Sequence, residues 1–461
     1  LYLKCLQLIL RHQVWFLVQE KGLPSELEVV IFDLWALRIA QLGDRIASGS
    51  HDNESQSQVF NTLESEQDET TDHEGGTTST PKGRSKKLHG APNLYDCLVL
   101  CYLGISTLRL PFTPGDIYAW VTDGKMAFSG AIKLLPLAMK DRLPSSYHDV
   151  LAPQTMMSYK RFYDTLTDLK VSYEKDHGVL WPALNIPPLL FRFIKELALP
   201  LELYDTTLRL GHMLGYDFAF HYEGRQKLGI RLLPEAQLIG CLILCVKLIY
   251  PFDKVRRIPQ SSSEPTGVVV DWERWCKQVH EAKMTHREEN PGFTTEELTK
   301  LQESDVFEMN PGQLDQYLDF YADTFLDKAE IQRTRDNDDF RNALYGMFPI
   351  EGTARHPPFK LSDAMPHEQS LGTVRAVHGS MRTQTNVDES RAEPNTPRPG
   401  QKYPVWREAQ NLPKNARIFY DEVARLAGFS LEMLVMAVFF TEARVERWRR
   451  KQREGVRARS S

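Results

Sequence analysis

Two stretches of this chain, LYDCLVLCYLGI at residues 94–105 and LIGCLILCVKLI at residues 238–249, are almost uninterrupted apolar runs at helical length. A helix that is apolar on nearly every side belongs inside a bundle, covered by other helices. The two runs share Leu94/Leu238, Cys97/Cys241, Leu98/Leu242, Leu100/Leu244, Cys101/Cys245 and Ile105/Ile249, six identities in twelve positions. A core helix used twice points to an all-α fold of two similar units.

The cysteines in these runs have two readings, metal ligand or core residue. Structural zinc takes thiolates from knuckles in tight turns, where backbone N–H groups help neutralise the sulfur charge. An i, i+4 pair inside a Leu-rich helix has no turn and no neighbouring His, and its apolar wall disfavours the thiolate. Buried thiols, acting as small hydrophobes, are the expectation, and no metal is assigned. Cys5 and Cys276 lie singly on other amphipathic segments, so there is no disulfide framework and a reducing compartment is implied.

At 461 residues the chain is too long for one core and predicts two or three domains. A net charge of −5 means that the chain as a whole is not a nucleic-acid-binding polycation, so any DNA contact is local or shared with partners. No apolar run reaches bilayer-spanning length, and no membrane association is expected. Leu1 enters a helix at once, which predicts a chain incomplete at its N-terminus.

Helical periodicity orders the rest. Leu3, Leu6, Ile9, Leu10, Trp15, Phe16 and Leu17 recur on one face until Gly22 and Pro24, and Leu27, Val30, Ile31, Leu34, Trp35, Ile39 and Leu42 mark a second helix. Residues 48–92 break the pattern. Eight acids and no Lys or Arg stand between His51 and Gly76, followed by the basic PKGRSKK. Such polar sequence cannot bury enough surface to fold, and a disordered acidic insertion is expected. Pro92 and Asn93 open the third helix, Thr113 and Pro114 open a short fourth that ends at Gly124, and residues 125–138 are expected to form a fifth. Residues 1–147 thus make one five-helix unit, 148–187 a polar linker, and 188–345 a second unit with an extension, in which the cysteine helix again comes third. Residues 346–402, rich in Pro, Thr, Arg and Ser, are expected to be disordered, and 403–461 to recover two helices with a basic tail.

Two five-helix units in tandem, each with a buried third helix, form the plan of a tandem cyclin-like fold. SELEVVIFDLWALRI, NLYDCLVLCYLGISTLRLPFTPGDIYAW, IPPLLFRFIKELALPLELY and EAQLIGCLILCVKLIYPFD resemble the fungal transcription-factor-IIB-like subunit of the RNA polymerase I core factor, counterpart of the B subunit of the animal selectivity factor. The resemblance covers about residues 1–285. It implies a nuclear and nucleolar protein that binds the ribosomal RNA gene core promoter and helps recruit polymerase. Its implied partners are the other core-factor subunits, the TATA-binding protein, RNA polymerase I and promoter DNA. The family also carries an N-terminal zinc ribbon. No C-x2-C pair occurs in this sequence, so ribbon and zinc are not expected within it, and no cofactor is assigned.

Catalysis has little support. G-x4-G-K-[ST], G-x-S-x-G, H-E-x-x-H and G-x-G-x-x-G are all absent, which removes phosphate cradles, nucleophile elbows and zincin sites at the motif level. Asp315, Asp319, Asp323 and Asp327 share one helical face beside the apolar stripe Leu314, Leu318, Tyr321 and Phe325. This acidic face is a candidate surface for a basic partner; as magnesium ligands the same residues would serve a helical enzyme. Lys254, Arg256 and Arg257, after the second cysteine helix, are candidate phosphate contacts. Arg444, Arg447, Arg449, Arg450, Lys451 and Arg453 belong to a tail with eight basic and two acidic residues between Arg444 and Arg459, suited to a nucleic-acid backbone. Lys82, Arg84, Lys86 and Lys87 are a candidate nuclear import signal. No helix lined with Arg, Asn and Gln is present to read bases, so specificity is expected from DNA shape and the assembled complex. Within the same fold the rival reading is a cyclin-like regulatory subunit of a kinase.

Overall fold

The computed structural model describes residues 1–49, 91–153, 155–222, 229–253, 255, 257, 265–289, 292–293, 295–307, 309–326, 367–383, 400 and 403–460. Residues 50–90 of the expected acidic insertion lie outside them, as do 346–366 and 384–399 of the second segment expected to be disordered. Within the described residues the chain is helical apart from turns and two short strands, β1 (Val268–Val269) and β2 (Arg382–Thr383), paired antiparallel with Val268 opposite Thr383.

The first repeat is built around α3 (Leu94–Thr107), whose residues from Asp96 to Ile105 are all buried. Asn93 starts it: its side-chain oxygen accepts from the Tyr95 and Asp96 amides at 2.8 and 3.2 Å, while the Asp96 carboxylate accepts from the Asn93 amide at 2.9 Å. Asp96 is itself buried and paired at 3.0 Å with Arg38 of α2 (Glu26–Gly49). With α1 (Tyr2–Trp15), which runs on into a π-turn over Phe16–Glu20, α2 covers two sides of α3. The four helix cysteines are buried free thiols. Burial raises the Cys97 thiol well above its ordinary value, with the nearby Asp96 charge adding to the effect.

The third side of α3 is covered where the sequence predicted a linker. Helix α7 (Tyr159–His177) buries Phe162, Leu166, Leu169 and Tyr173, a spacing of four, three and four, and ends at Gly178 with φ +64°. Tyr173 donates to the Leu34 carbonyl at 2.8 Å, which fixes α7 against α2. Conversely, residues 125–138 are not a helix. Gly130 takes φ +62°, outside the right-handed helix, and Pro136 interrupts a second attempt. Met126, Phe128 and Ala131 instead plug the end of the core from a loop, whose Ala127 carbonyl accepts from Gln13 at 2.6 Å. The short helices α4 (Pro114–Thr122), α5 (Leu137–Lys140) and α6 (Ser145–Leu151) complete this half.

The second repeat has the same logic around α10 (Pro234–Ile249), buried from Leu238 to Lys247 and preceded by α8 (Ile186–Glu196) and α9 (Glu202–Met213). After α11 (Trp272–Glu289) come α12 (Thr295–Lys300), α13 (Glu303–Val306) and α14 (Pro311–Phe325). Part of the segment expected to be disordered is a helix, α15 (His367–Gly379), lying on α8 and α11 with Val377 buried and His378 Nε2 3.3 Å from the Leu199 carbonyl. Its polar composition concealed a docking face too small to show as periodicity.

The last two helices, α16 (Lys414–Ala427) and α17 (Leu431–Ser460), bind both repeats. Helix α17 lies along α10, and the two share a buried ion pair between Lys247 and Glu442. Burial pushes the lysine down and the carboxyl up, against their mutual attraction. Helix α16 places Phe419 against Trp272 and Trp275, with ring centroids 5.3 and 5.6 Å apart. Its other end meets α4 of the first repeat backbone to backbone. A Cβ on Gly115 would stand 2.4 Å from the Arg425 carbonyl oxygen, and one on Gly428, where φ is +80°, would stand 2.2 Å from the Gly115 nitrogen.

Candidate nucleic-acid and partner interfaces

What any partner meets depends on the junction between the repeats, which is largely polar and runs from the half-buried rim into the core. Arg192 of α8 donates through Nη1 and Nη2 to the two carboxylate oxygens of Asp116 on α4, at 2.7 and 2.6 Å, and through Nη1 to the Pro111 carbonyl at 3.2 Å. Asp116 is held for this by its place in the first turn of α4, where it also accepts from the Thr113 amide at 2.7 Å. Deeper in, Tyr102 of α3 donates to Glu235 at the start of α10 at 2.5 Å. Burial, reinforced by the Glu235 charge, raises the Tyr102 hydroxyl well above its ordinary value, so the phenol stays a donor. Thr113 donates to the Leu426 carbonyl at 2.7 Å, and Phe429 stacks on Tyr163 at 4.9 Å. Apart from the Thr113–Asp116 capping box, none of these pairings carries a local sequence signal.

The predicted basic residues separate into two kinds. Arg444 serves the fold: its Nε donates to the Leu214 carbonyl at 2.9 Å and its guanidinium lies 4.2 Å from the Tyr216 ring centroid, so it closes the C-terminal end of α9. Arg257 likewise is buried and donates to both oxygens of Asp253, at 2.6 and 2.8 Å. That hydrogen bonding holds the Asp253 carboxyl below its ordinary value. Lys254 and Arg256 lie outside the described residues.

Beyond Arg444 the helix leaves the core. Among its residues up to Glu454, Val445 is the last buried one and Trp448 is partly covered, while Arg447, Arg450, Lys451 and Arg453 are exposed and Arg449 is half-buried. These five cations stand on one rigid helix whose base is anchored in the second repeat, an arrangement able to follow a phosphate backbone without reading bases.

On α14, Asp315, Asp319 and Asp323 are exposed in single file, and Asp327 lies outside the described residues. Among the described residues no three His, Cys, Asp or Glu side chains come together as a metal site. The acidic face borders an open cleft against the first repeat, together with Leu318 and Tyr321 of the stripe beside it and exposed apolar residues of the first repeat, Trp15 and Leu134.

Comparison with known proteins agrees with this architecture. The chain matches the Rrn7/TAF1B N-terminal cyclin domain over residues 6–137 and the Rrn7/TAF1B C-terminal cyclin domain over residues 155–325. It is 24% identical over 323 residues to the RNA polymerase I-specific transcription initiation factor rrn7 of Schizosaccharomyces pombe, covering 65% of this chain and 59% of that protein. Against RRN7 of Saccharomyces cerevisiae, of the same description, identity is 20% over 378 residues, 77% of this chain and 63% of the relative. A TATA box-binding protein-associated factor of RNA polymerase I from Oryza sativa subsp. japonica is 30% identical over 113 residues, 24% of this chain and 17% of its own. The chain therefore spans about three fifths of the length of the fungal relatives it matches. A chain in the crystal structure of the S. cerevisiae core factor aligns over 100% of this chain and 97% of its own, at 14% identity and a TM-score of 0.49, too loose to carry an argument. With two cyclin domains in tandem, in order, and matched over most of the described helices, the chain belongs to the Rrn7/TAF1B family.

Proposed function

We propose that this chain is a subunit of an RNA polymerase I-specific initiation factor, an adaptor that holds ribosomal RNA gene promoter DNA and helps recruit the polymerase. The observation that supports it is the ordered match to both cyclin domains of the family, with relatives named as RNA polymerase I-specific initiation factors. In this reading the repeats act as one body, because Arg192, Tyr102 and the α16–α17 pair tie them together. The cations of α17 beyond the core, Arg447, Arg449, Arg450, Lys451 and Arg453, contact phosphates, and base discrimination comes from DNA shape. The other core-factor subunits, the TATA-binding protein and RNA polymerase I are the protein partners, and the setting is the nucleus and nucleolus. The chain works by binding, without a catalytic step or a cofactor of its own.

Affinity capture of the tagged chain from nuclear extract, with mass spectrometry of what accompanies it, tests this. Enrichment of RNA polymerase I core-factor subunits, and of ribosomal RNA gene promoter DNA after cross-linking, is the expected result. Recovery of a kinase with no polymerase I component would overturn it in favour of a cyclin-like regulator.

A further inference from the structure

A cleft of about 1570 Å³ separates the first repeat from α14. One wall is the end of α1 with its π-turn, the floor is the loop around Gly130, and the other wall is α12 and α14. Trp15, Leu134, Leu318 and Tyr321 all line it, and they are 55%, 38%, 53% and 42% exposed. Large apolar side chains left open singly need no explanation, but four around one concavity mark a contact surface.

The cleft is preformed. At one end of α14, the Lys133 ammonium donates to the Asp323 carbonyl at 2.6 Å, and the helix passes so close to Gly130 that a Cβ there would stand 2.2 Å from the Thr324 carbonyl oxygen. At the other, the Gln316 amide brackets Phe293, accepting from its N–H and donating to its carbonyl, both at 2.8 Å. Five carboxylates line the space, Glu20, Asp123, Asp315, Asp319 and Asp323, against two ammonium groups, Lys125 and Lys133. That balance repels nucleic acid and favours a cationic protein segment.

We infer that this cleft receives an amphipathic helix of a protein partner, apolar along one edge and carrying Lys or Arg along the next. A helix body about 10 Å wide would fill the volume over about 20 Å, or about 13 residues. The i, i+4 ladder of Asp315, Asp319 and Asp323 advances about 6 Å per step, the same step at which Lys or Arg recurs on one face of such a helix. Trp15 and Tyr321 supply the aromatic contact on opposite walls.

The test uses the full chain and a labelled 13-residue peptide with Leu at i, i+3, i+4 and i+7 and Lys or Arg on the adjoining face, beside a version with Glu in place of the cations. Fluorescence anisotropy is expected to show binding of the cationic peptide only, weakened about tenfold by Trp15→Ala and by Asp319→Asn alike. Both positions are exposed, so unchanged thermal melts accompany the loss, and Tyr321→Ser provides a second apolar variant. Failure of the cationic peptide to bind, or binding that responds to Asp319→Asn and salt but not to Trp15→Ala or Tyr321→Ser, overturns the inference. So does a gain in peptide affinity on replacing Lys82, Arg84, Lys86 and Lys87 by Ala, which would make the chain's own basic segment the occupant.

Discussion

At the scale of single residues, Cys97, Cys101, Cys241 and Cys245 are thiols enclosed in the cores of the two repeats, as the apolar residues around them in the sequence predict. A direct consequence is chemical silence. Burial pushes Cys245 up to about 11, so at pH 8 about one molecule in a thousand carries the thiolate there, and enclosure blocks the reagent as well. Alkylation by iodoacetamide at pH 8 should therefore label Cys276, which is half-buried, well before these four, and denaturant should release the two thiols of each repeat together. Charged residues were far less legible. Arg257 and Arg444 sit in basic runs, yet Arg257 closes locally on Asp253 four residues earlier, and the hydrogen bond of Arg444 to the Leu214 carbonyl is set by tertiary geometry that no spacing rule contains. Arg192 is the clearest case. Replacing it by Met leaves Asp116 largely buried without its guanidinium and should lower stability by about 1–3 kcal/mol, read as an earlier urea midpoint. The double variant with Asp116→Asn should recover part of that loss.

Among the elements, α3 and α10 were visible because a continuous apolar helix has one possible environment, whereas α7 was hidden. Its surface is polar enough to read as a connection, and its buried stripe is narrow: Phe162, Leu166, Leu169 and Tyr173. The opposite error at residues 125–138 has a matching cause. Apolar content there serves a plugging loop, and the left-handed Gly130 settles the matter against a helix. Helix α17 was recognised but its weight was not, since its first half is as much a part of the second core as α10 is. A chain ending at Ser430 should consequently lose Leu434, Val435 and Val438 from that core together with the Lys247 partner Glu442. The expected outcome is loss of the cooperative melt of the second repeat and exposure of apolar surface to a hydrophobic dye, with the first repeat retaining its own transition.

At the scale of the molecule, the tandem plan could be read from the repeated cysteine helix, while the way the halves are joined could not. The joining contacts link positions 76 and 133 residues apart, Arg192 with Asp116 and Tyr102 with Glu235. Such pairs have no shared periodicity and become evident only once both helices are in place. The candidate DNA surface belongs to this scale too, because its cations act as an array on one projecting helix. Replacing Arg449, Arg450, Lys451 and Arg453 by Gln should weaken binding to duplex DNA regardless of sequence. It should also flatten the dependence of log K on log salt by about 0.9 for each phosphate no longer neutralised. An unchanged slope, measured by anisotropy between low and moderate salt, would place the DNA surface elsewhere.

The position of α17 in the chain sets a schedule for synthesis. Thr441 lies 192 positions after Ile249, so at 5–20 residues per second the ribosome delivers the cover for α10 about 10–40 s after α10 itself. Over that interval the most apolar helix of the second repeat has no permanent neighbour on one side. Nascent chains of this protein are therefore expected to need a holding chaperone over that interval, and a stop codon before Leu434 should yield a product with α10 uncovered and a shortened half-life in a pulse-chase.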